Sequence, residues 1–385
     1  MIGDERVVTG SGDFKVLVPD RIPMNVLSQP SWKTASSLAA FGCAGAALII
    51  SFLGLAQFDL PIIRYVRSVT IHLPWDQLTV PWMAFTSNTG DWIGQGWHLA
   101  AMSIMLLAAA WAFEKPTIKI AAVQSLIAHG IAAVLANGIK HLIGRPRPKF
   151  VHSGDWQMTF SWTSGLDSFP SGHSTASFAV ATVLAKRFPL FGPLCIAAAA
   201  FVALSRVLRG SHFPTDVVGG AILGVLSGFL AAAPWQQWRT SLQDGLRHAA
   251  IGTSTLFALL WALSHRMDDG IVGVLFVVLG AVAIVGGLWL RRTYWFGGKA
   301  SVTNRHMNTS TLIMAYGLAA MTTSPLVLSS VGFSCLASWF HARNRFHESG
   351  EKSPGWSVMR EGALLGGLAL AVLILVDARG VLPFQ

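Results

Sequence analysis

Long apolar runs, each about 20 residues with almost no charge, recur along this chain. A helix of that length crosses a hydrocarbon layer roughly 30 Å thick. A soluble helical protein would alternate apolar and polar faces in these runs, and most of them do not. The fold class expected is therefore all-α, a polytopic membrane protein. Clear runs cover residues 36–56, 92–113, 117–139, 172–187, 190–207 and 213–233, with a weakly amphipathic connector at 58–91. Further runs lie at 249–263, 270–290, 311–340 and 362–376. The run at 311–340 is too long for one straight helix, and Thr322-Thr-Ser-Pro325 in its middle is expected to break it into a hairpin, because proline removes a backbone donor. The organisation expected is a polar tail (1–33), a six-span core (34–235) and a C-terminal bundle of about four further membrane helices (236–385). The tail has no short apolar region followed by a small-residue cleavage site, so the first span is expected to serve as an uncleaved anchor.

Charge narrows the partners. The formal net charge is +10, yet the basic residues are scattered over membrane-flanking loops rather than gathered into a stripe. A lipid bilayer, and no nucleic acid, is the partner this favours. Trp75, Trp82 and Trp92 suit the headgroup level, and Trp156 and Trp162 lie in a later loop. Cys43, Cys195 and Cys335 fall inside the runs without metal-ligand spacing and read as small buried apolar residues. Arg266, Asp268 and Asp269 read as solvated loop charges.

Three polar stretches interrupt the apolar pattern: Lys140-His-Leu-Ile-Gly-Arg145-Pro-Arg147-Pro148, Pro170-Ser171-Gly172-His173, and Ser205-Arg206-Val-Leu-Arg209-Gly-Ser-His212-Phe-Pro-Thr-Asp216. They follow the third run, precede the fourth, follow the fifth and precede the sixth. In an alternating bundle those four ends share one side of the membrane. Cleaving a phosphate ester requires charge balance on the non-bridging oxygens, an in-line nucleophile and a proton for the leaving oxygen. Lys140, Arg147 and Arg206 can supply the first, arginine through its planar fork of donors. Ser171-Gly172 lets backbone approach an anion at a helix start, where first-turn amides point outward. His173 sits in that first turn, placed to donate a proton. Pro214 suits the first helical position, which puts Asp216 within reach of His212, able to fix the ring tautomer and raise the basicity of its other nitrogen.

These three stretches resemble the signature of the type-2 phosphatidic acid phosphatase family: Lys-x6-Arg-Pro, Pro-Ser-Gly-His and Ser-Arg-x5-His-x3-Asp, matched here at every defined position. The resemblance covers about residues 75–233. It implies a six-span core in which His212 forms a phosphohistidine, Asp216 supports it and His173 is the general acid. Lys140, Arg147, Ser171, Gly172 and Arg206 would bind phosphate, with no metal and no cofactor. Vanadate-dependent haloperoxidases and soluble acid phosphatases share the signature, so it defines the site better than the substrate. Arg209 stands where many relatives are expected to carry an apolar residue. Arg145 and Arg209 are candidate contacts to a second phosphate or an anionic headgroup.

The function expected is a lipid phosphatase acting on a polyprenyl diphosphate, phosphatidate, phosphatidylglycerol phosphate or lipid A type substrate. A phosphotransferase would share every motif residue, and a lipid carrier with a phosphate-binding pocket would account for the extra C-terminal helices. A haloperoxidase has no need of so many spans. Lys and Arg on the motif face number eight against ten opposite, and five against ten once Lys140, Arg147 and Arg206 are set aside as site residues. The site is thus expected to face outward, into the periplasm of a bacterium, from the inner membrane.

Overall fold

A computed structural model describes residues 35–71, 77–151, 165–267, 270–296, 304–348 and 357–382. The tail 1–33, Trp75, Trp156, Trp162, Asp268 and Asp269 lie outside the described residues. Thirteen helices account for nearly all of the described chain: α1 (Ala35–Ala56), α2 (Asp59–Ser68), α3 (Pro81–Ile93), α4 (Gly96–Ala112), α5 (Pro116–Ile143), α6 (Gly172–Arg187), α7 (Gly192–Leu208), α8 (Pro214–Ala231), α9 (Trp238–Ser264), α10 (Ile271–Phe296), α11 (Asn304–Met321), α12 (Pro325–Glu348) and α13 (Val358–Asp377). The connector at 58–91 resolves into α2, a two-residue antiparallel pair (β1, Thr70–Ile71; β2, Gln77–Leu78) and α3.

Local chemistry sets several helix ends. Proline occupies the first turn of α3, α5 and α8, where its fixed φ suits the helix and no backbone donor is lost. Gly144 ends α5 in the left-handed region, with φ 56° and ψ 44°, and returns its N–H to the Lys140 carbonyl at 2.9 Å. That cap stops the helix just after Lys140. The expected break in the 311–340 run is present: α11 stops at Met321 and α12 starts at Pro325.

Among the described residues, seven helical segments are long and apolar enough to cross a membrane, or eight if α3 and α4, bent by 58°, form one span. This is fewer than the ten or so expected from sequence: α6, α7 and α11 fall outside the set, α6 and α7 being only 16 and 17 residues long. In α6 a further reason is visible. Its Ser174, Thr175, Ser177 and Thr182 are buried within the protein, so this helix meets neighbouring helices instead of lipid. Lipid contact falls elsewhere, as on α10, whose Ile271, Leu275, Leu279, Val282 and Val285 are all exposed. The protein is an integral membrane protein.

Close packing of α8 on α6 fixes the site. Gly220, Gly224 and Gly228 recur every fourth residue along α8. A Cβ at these positions would fall 2.6 Å from the Ser171 carbonyl oxygen, 2.5 Å from that of Thr175 and 2.5 Å from Thr182 Cβ. Only glycine admits this approach, the small-residue packing that membrane helices favour where no hydrophobic effect drives association.

The C-terminal helices are joined to the core through α1. Ser51 of α1, Ser254 of α9 and Ser330 of α12 form a buried hydroxyl cluster with O···O distances of 2.5–3.2 Å. Leu55 and Phe58 pack with Val218 of α8, Phe257 of α9, Ala319 of α11 and Val327 of α12. These contacts cross the boundary that sequence suggests near residue 235. A second anchor is Arg291, fully buried, whose guanidinium takes both oxygens of Glu361 at 2.9 and 2.6 Å and so ties α10 to α13.

Candidate active site

The helix ends that carry the three motifs meet. Lys140 is in the last turn of α5, and a Cβ on Gly172 would stand 3.5 Å from its Nζ. Ser171 precedes α6 in extended backbone and donates its N–H to the Asp216 carbonyl at 2.9 Å, joining the starts of α6 and α8. The loop after α7 folds back on itself: Ser211 and His212 both donate their N–H groups to the Arg206 carbonyl. Arg147 lies within Coulombic reach of both His173 and His212, so the two imidazoles share one electrostatic neighbourhood.

His212 is buried, and its Nδ1 is 2.7 Å from the Ser168 carbonyl oxygen. A carbonyl only accepts, so Nδ1 carries the proton and Nε2 is left with its lone pair. This corrects one sequence expectation. Asp216 Oδ2 stands 3.8 Å from Nδ1, an ion-pair distance too long for a hydrogen bond. The tautomer is therefore fixed by Ser168, and Asp216 acts on His212 through its charge and through the loop it holds. Burial pushes the His212 pKa down to about 4; the Asp216 carboxylate pulls the other way, and the Arg206 and Arg147 charges add to the lowering. Near neutral pH the ring is an uncharged base.

Asp216 itself is fully buried. It accepts from Arg145 Nη1 at 2.6 Å, from Ser168 Oγ at 2.5 Å and, as a helix cap, from the Phe213 N–H at 2.8 Å. Arg145 continues inward: Nη2 donates to Asp59 Oδ2 at 2.8 Å and Nη1 to Thr215 Oγ1 at 2.8 Å, while the guanidinium lies 4.3 Å from the centre of the Phe213 ring. Arg145 is 6% exposed and committed to two carboxylates. It therefore positions Asp216 and does not meet a headgroup, contrary to the sequence expectation. Arg209 is half-exposed, with Nη1 3.3 Å from Asp91 Oδ2.

Sequence reasoning missed three carboxylates. Asp59 completes the Arg145 bridge and accepts the Thr215 N–H at 2.9 Å. Asp167 takes Arg147 in a two-pronged pair, from Nε at 2.8 Å and from Nη2 at 2.6 Å. Burial alone would raise the Asp167 carboxyl, but the Arg147 hydrogen bonds and charge, with Lys140, bring it below the usual carboxylate value. Asp91, at the end of α3, meets Arg206 and lies 3.6 Å from His173 Nε2. Asp59 and Asp91 lie in the connector at 58–91, each close to the end of an apolar run, and an acidic residue so near a membrane span was the available signal.

Part of the chain is similar to known proteins. Residues 121–241 match the PAP2 superfamily. A lipid A 1-phosphatase of Rhizobium johnstonii is 39% identical over 105 residues, which is 26% of this chain and 42% of that protein. A decaprenylphosphoryl-5-phosphoribose phosphatase of Mycobacterium tuberculosis is 35% identical over 109 residues, 28% of this chain and 56% of that one. The chain thus spans about half the length of the curated relatives it matches. A crystal structure of a PAP2-type phosphatidylglycerolphosphate phosphatase from Bacillus subtilis aligns with a TM-score of 0.31 at 24% identity, over 51% of this chain and 90% of that chain. All three motifs lie within the matched residues, so this segment of the chain is similar to the PAP2 superfamily at the motif positions.

Proposed function

We propose that the protein is a membrane lipid phosphatase that cleaves a lipid phosphate or diphosphate through a phosphohistidine on His212. The observation that carries this reading is the pairing of an uncharged, lone-pair-bearing His212 Nε2 with the cations Lys140, Arg147 and Arg206 in one cluster. Nε2 attacks phosphorus in line as the bond to the lipid oxygen breaks, and His173 gives that oxygen its proton. Water then attacks phospho-His212, losing its proton to His173, and inorganic phosphate leaves. The cations and the first-turn N–H groups of α6 balance charge on the non-bridging oxygens. Asp216, held by Arg145 and Ser168, stabilises the imidazolium that forms on His212.

The names of the relatives support a lipid phosphate as substrate: lipid A in one and a decaprenylphosphoryl-5-phosphoribose in another. The half-exposed Arg209 suits a second phosphate or an acidic headgroup beside the one cleaved. The Lys and Arg balance supports a site on the outer face of an inner membrane. Purified protein is expected to release inorganic phosphate from at least one of lipid A, undecaprenyl diphosphate, phosphatidate and phosphatidylglycerol phosphate. Folded protein that releases none from any of them contradicts the reading. Phosphate appearing on an added lipid or sugar hydroxyl, in place of free phosphate, would make the enzyme a phosphotransferase.

The His212 environment sets a pH dependence. Its nucleophilic form is the neutral ring, which is lost only as pH falls through about 4. The profile of kcat/KM, which reports the free enzyme, should show no acid limb near the ordinary histidine value of about 6.5 once the ionisation of the lipid phosphate is taken into account. A limb there that moves with substitutions around His212 would contradict this environment.

A further inference from the structure

Asp91 stands in the last turn of α3, outside the three motifs and outside residues 121–241. Its carboxylate nevertheless enters the cation cluster. Oδ1 meets Arg206 Nη1 and lies 3.6 Å from His173 Nε2, and Oδ2 lies 3.3 Å from Arg209 Nη1. Close backbone approach to α7, the helix that carries Arg206, fixes this placement. A Cβ on Gly90 would fall 2.5 Å from Ser205 Cβ, and one on Gly94 2.2 Å from Val202 Cγ1 and 3.2 Å from His173 Cδ2. Asp91 is thus held against Arg206 by two glycines that let α3 press onto α7.

A carboxylate offers a guanidinium fork the same paired anionic oxygens that a phosphate does. Asp91 and a bound phosphate therefore compete for the same donors on Arg206 and Arg209. The local charge fits this competition. Lys140, Arg147, Arg206 and Arg209 are countered by Asp91 and Asp167, which leaves a net positive charge of about 2, enough to balance the charge of about −1.5 to −2 on one phosphate monoester. Without Asp91 the site would be over-positive for the phosphate it must release.

We propose that Asp91 is an internal counter-anion of the phosphate site, holding Arg206 and Arg209 together between turnovers and weakening the grip on inorganic phosphate so that the product departs. The proposal rests on Arg206 being a phosphate ligand, as the proposed function requires. Asp91 is a positioning residue that sets product affinity; it takes no part in bond making.

The test measures binding of inorganic phosphate to the full-length protein in detergent by calorimetry, together with its inhibition constant against lipid phosphate. Asp91→Asn is expected to tighten phosphate binding on the order of 10-fold or more, because one negative charge close to the anion is removed. KM for the lipid phosphate should fall with it, kcat should fall where phosphate departure limits turnover, and Asp91→Glu should keep near wild-type affinity. A residue that merely braced α3 against α7 would have the opposite effect, since a loosened site binds phosphate more weakly. Unchanged or weaker binding in folded Asp91→Asn, or in Asp91→Ser should the first variant not fold, overturns the proposal. Equal binding by wild type and variant sinks the counter-anion role alone. No binding by wild type removes the phosphate site itself.

Discussion

Replacing His212 with alanine is expected to lower phosphate release by at least about 10⁴-fold, the scale seen when a covalent nucleophile is removed, while the protein stays folded in the membrane. The ring is buried, but its role in the fold is small. Its one hydrogen bond within the site runs from Nδ1 to the Ser168 carbonyl. The loop that carries it is closed by main-chain bonds from Ser211 and His212 to Arg206 and by the Asp216 cap on Phe213, all of which survive truncation of the side chain. Thermal unfolding in detergent should therefore change little while turnover vanishes. Full turnover in a folded His212→Ala protein would exclude a phosphohistidine. The same variant separates an enzyme from a carrier, since lipid movement that persists without phosphate release would assign the site to headgroup binding.

Arg145→Ala is expected to be the most damaging single change outside the reacting groups. The guanidinium bridges Asp59 and Asp216, both nearly inaccessible to solvent, and its loss leaves two buried carboxylates without their shared cation. Breaking a buried pair in this way costs about 3–5 kcal/mol. Lysine is not a substitute, because a single ammonium does not reproduce the two-pronged fork that reaches both carboxylates. Scanning fluorimetry of the purified protein should show a clear drop in unfolding temperature, and phosphate release should fall because Asp216 no longer holds its place beside His212. Asp59→Asn in the Arg145→Ala background should recover part of the stability, since one of the two uncompensated charges is then gone; neighbouring residues in one network are not additive. Wild-type stability and activity in Arg145→Ala would show that the bridge carries no weight.

The sequence made much of this arrangement legible, for identifiable reasons. Apolar runs give helices because a bilayer leaves few alternatives, and the Gly144 and Pro214 signals mark the helix ends on which Lys140 and Asp216 sit. The alternation of spans was enough to expect the motif ends on one side. What was not legible depends on contacts between distant segments. Nothing near His212 in sequence announces the Ser168 carbonyl, 44 residues away, as the acceptor that fixes its tautomer. Asp59 and Arg145 are 86 residues apart, and a basic residue in a loop reads as a surface charge until its buried partner is known. The span count differed in part because α6 and α7 are short, at 16 and 17 residues, and because α6 is clothed by protein rather than lipid, so its hydroxyl-rich sequence reports its neighbours and not its medium.

The most direct measurement is to quench the purified protein during turnover of a lipid substrate labelled with ³²P and locate the label. Phosphate should be recovered on His212, in a linkage stable to alkali and labile to acid, and the label should be absent from His212→Ala. Label on any other residue, or wild-type turnover in which no phosphoenzyme accumulates and His212→Ala is equally active, would contradict the account.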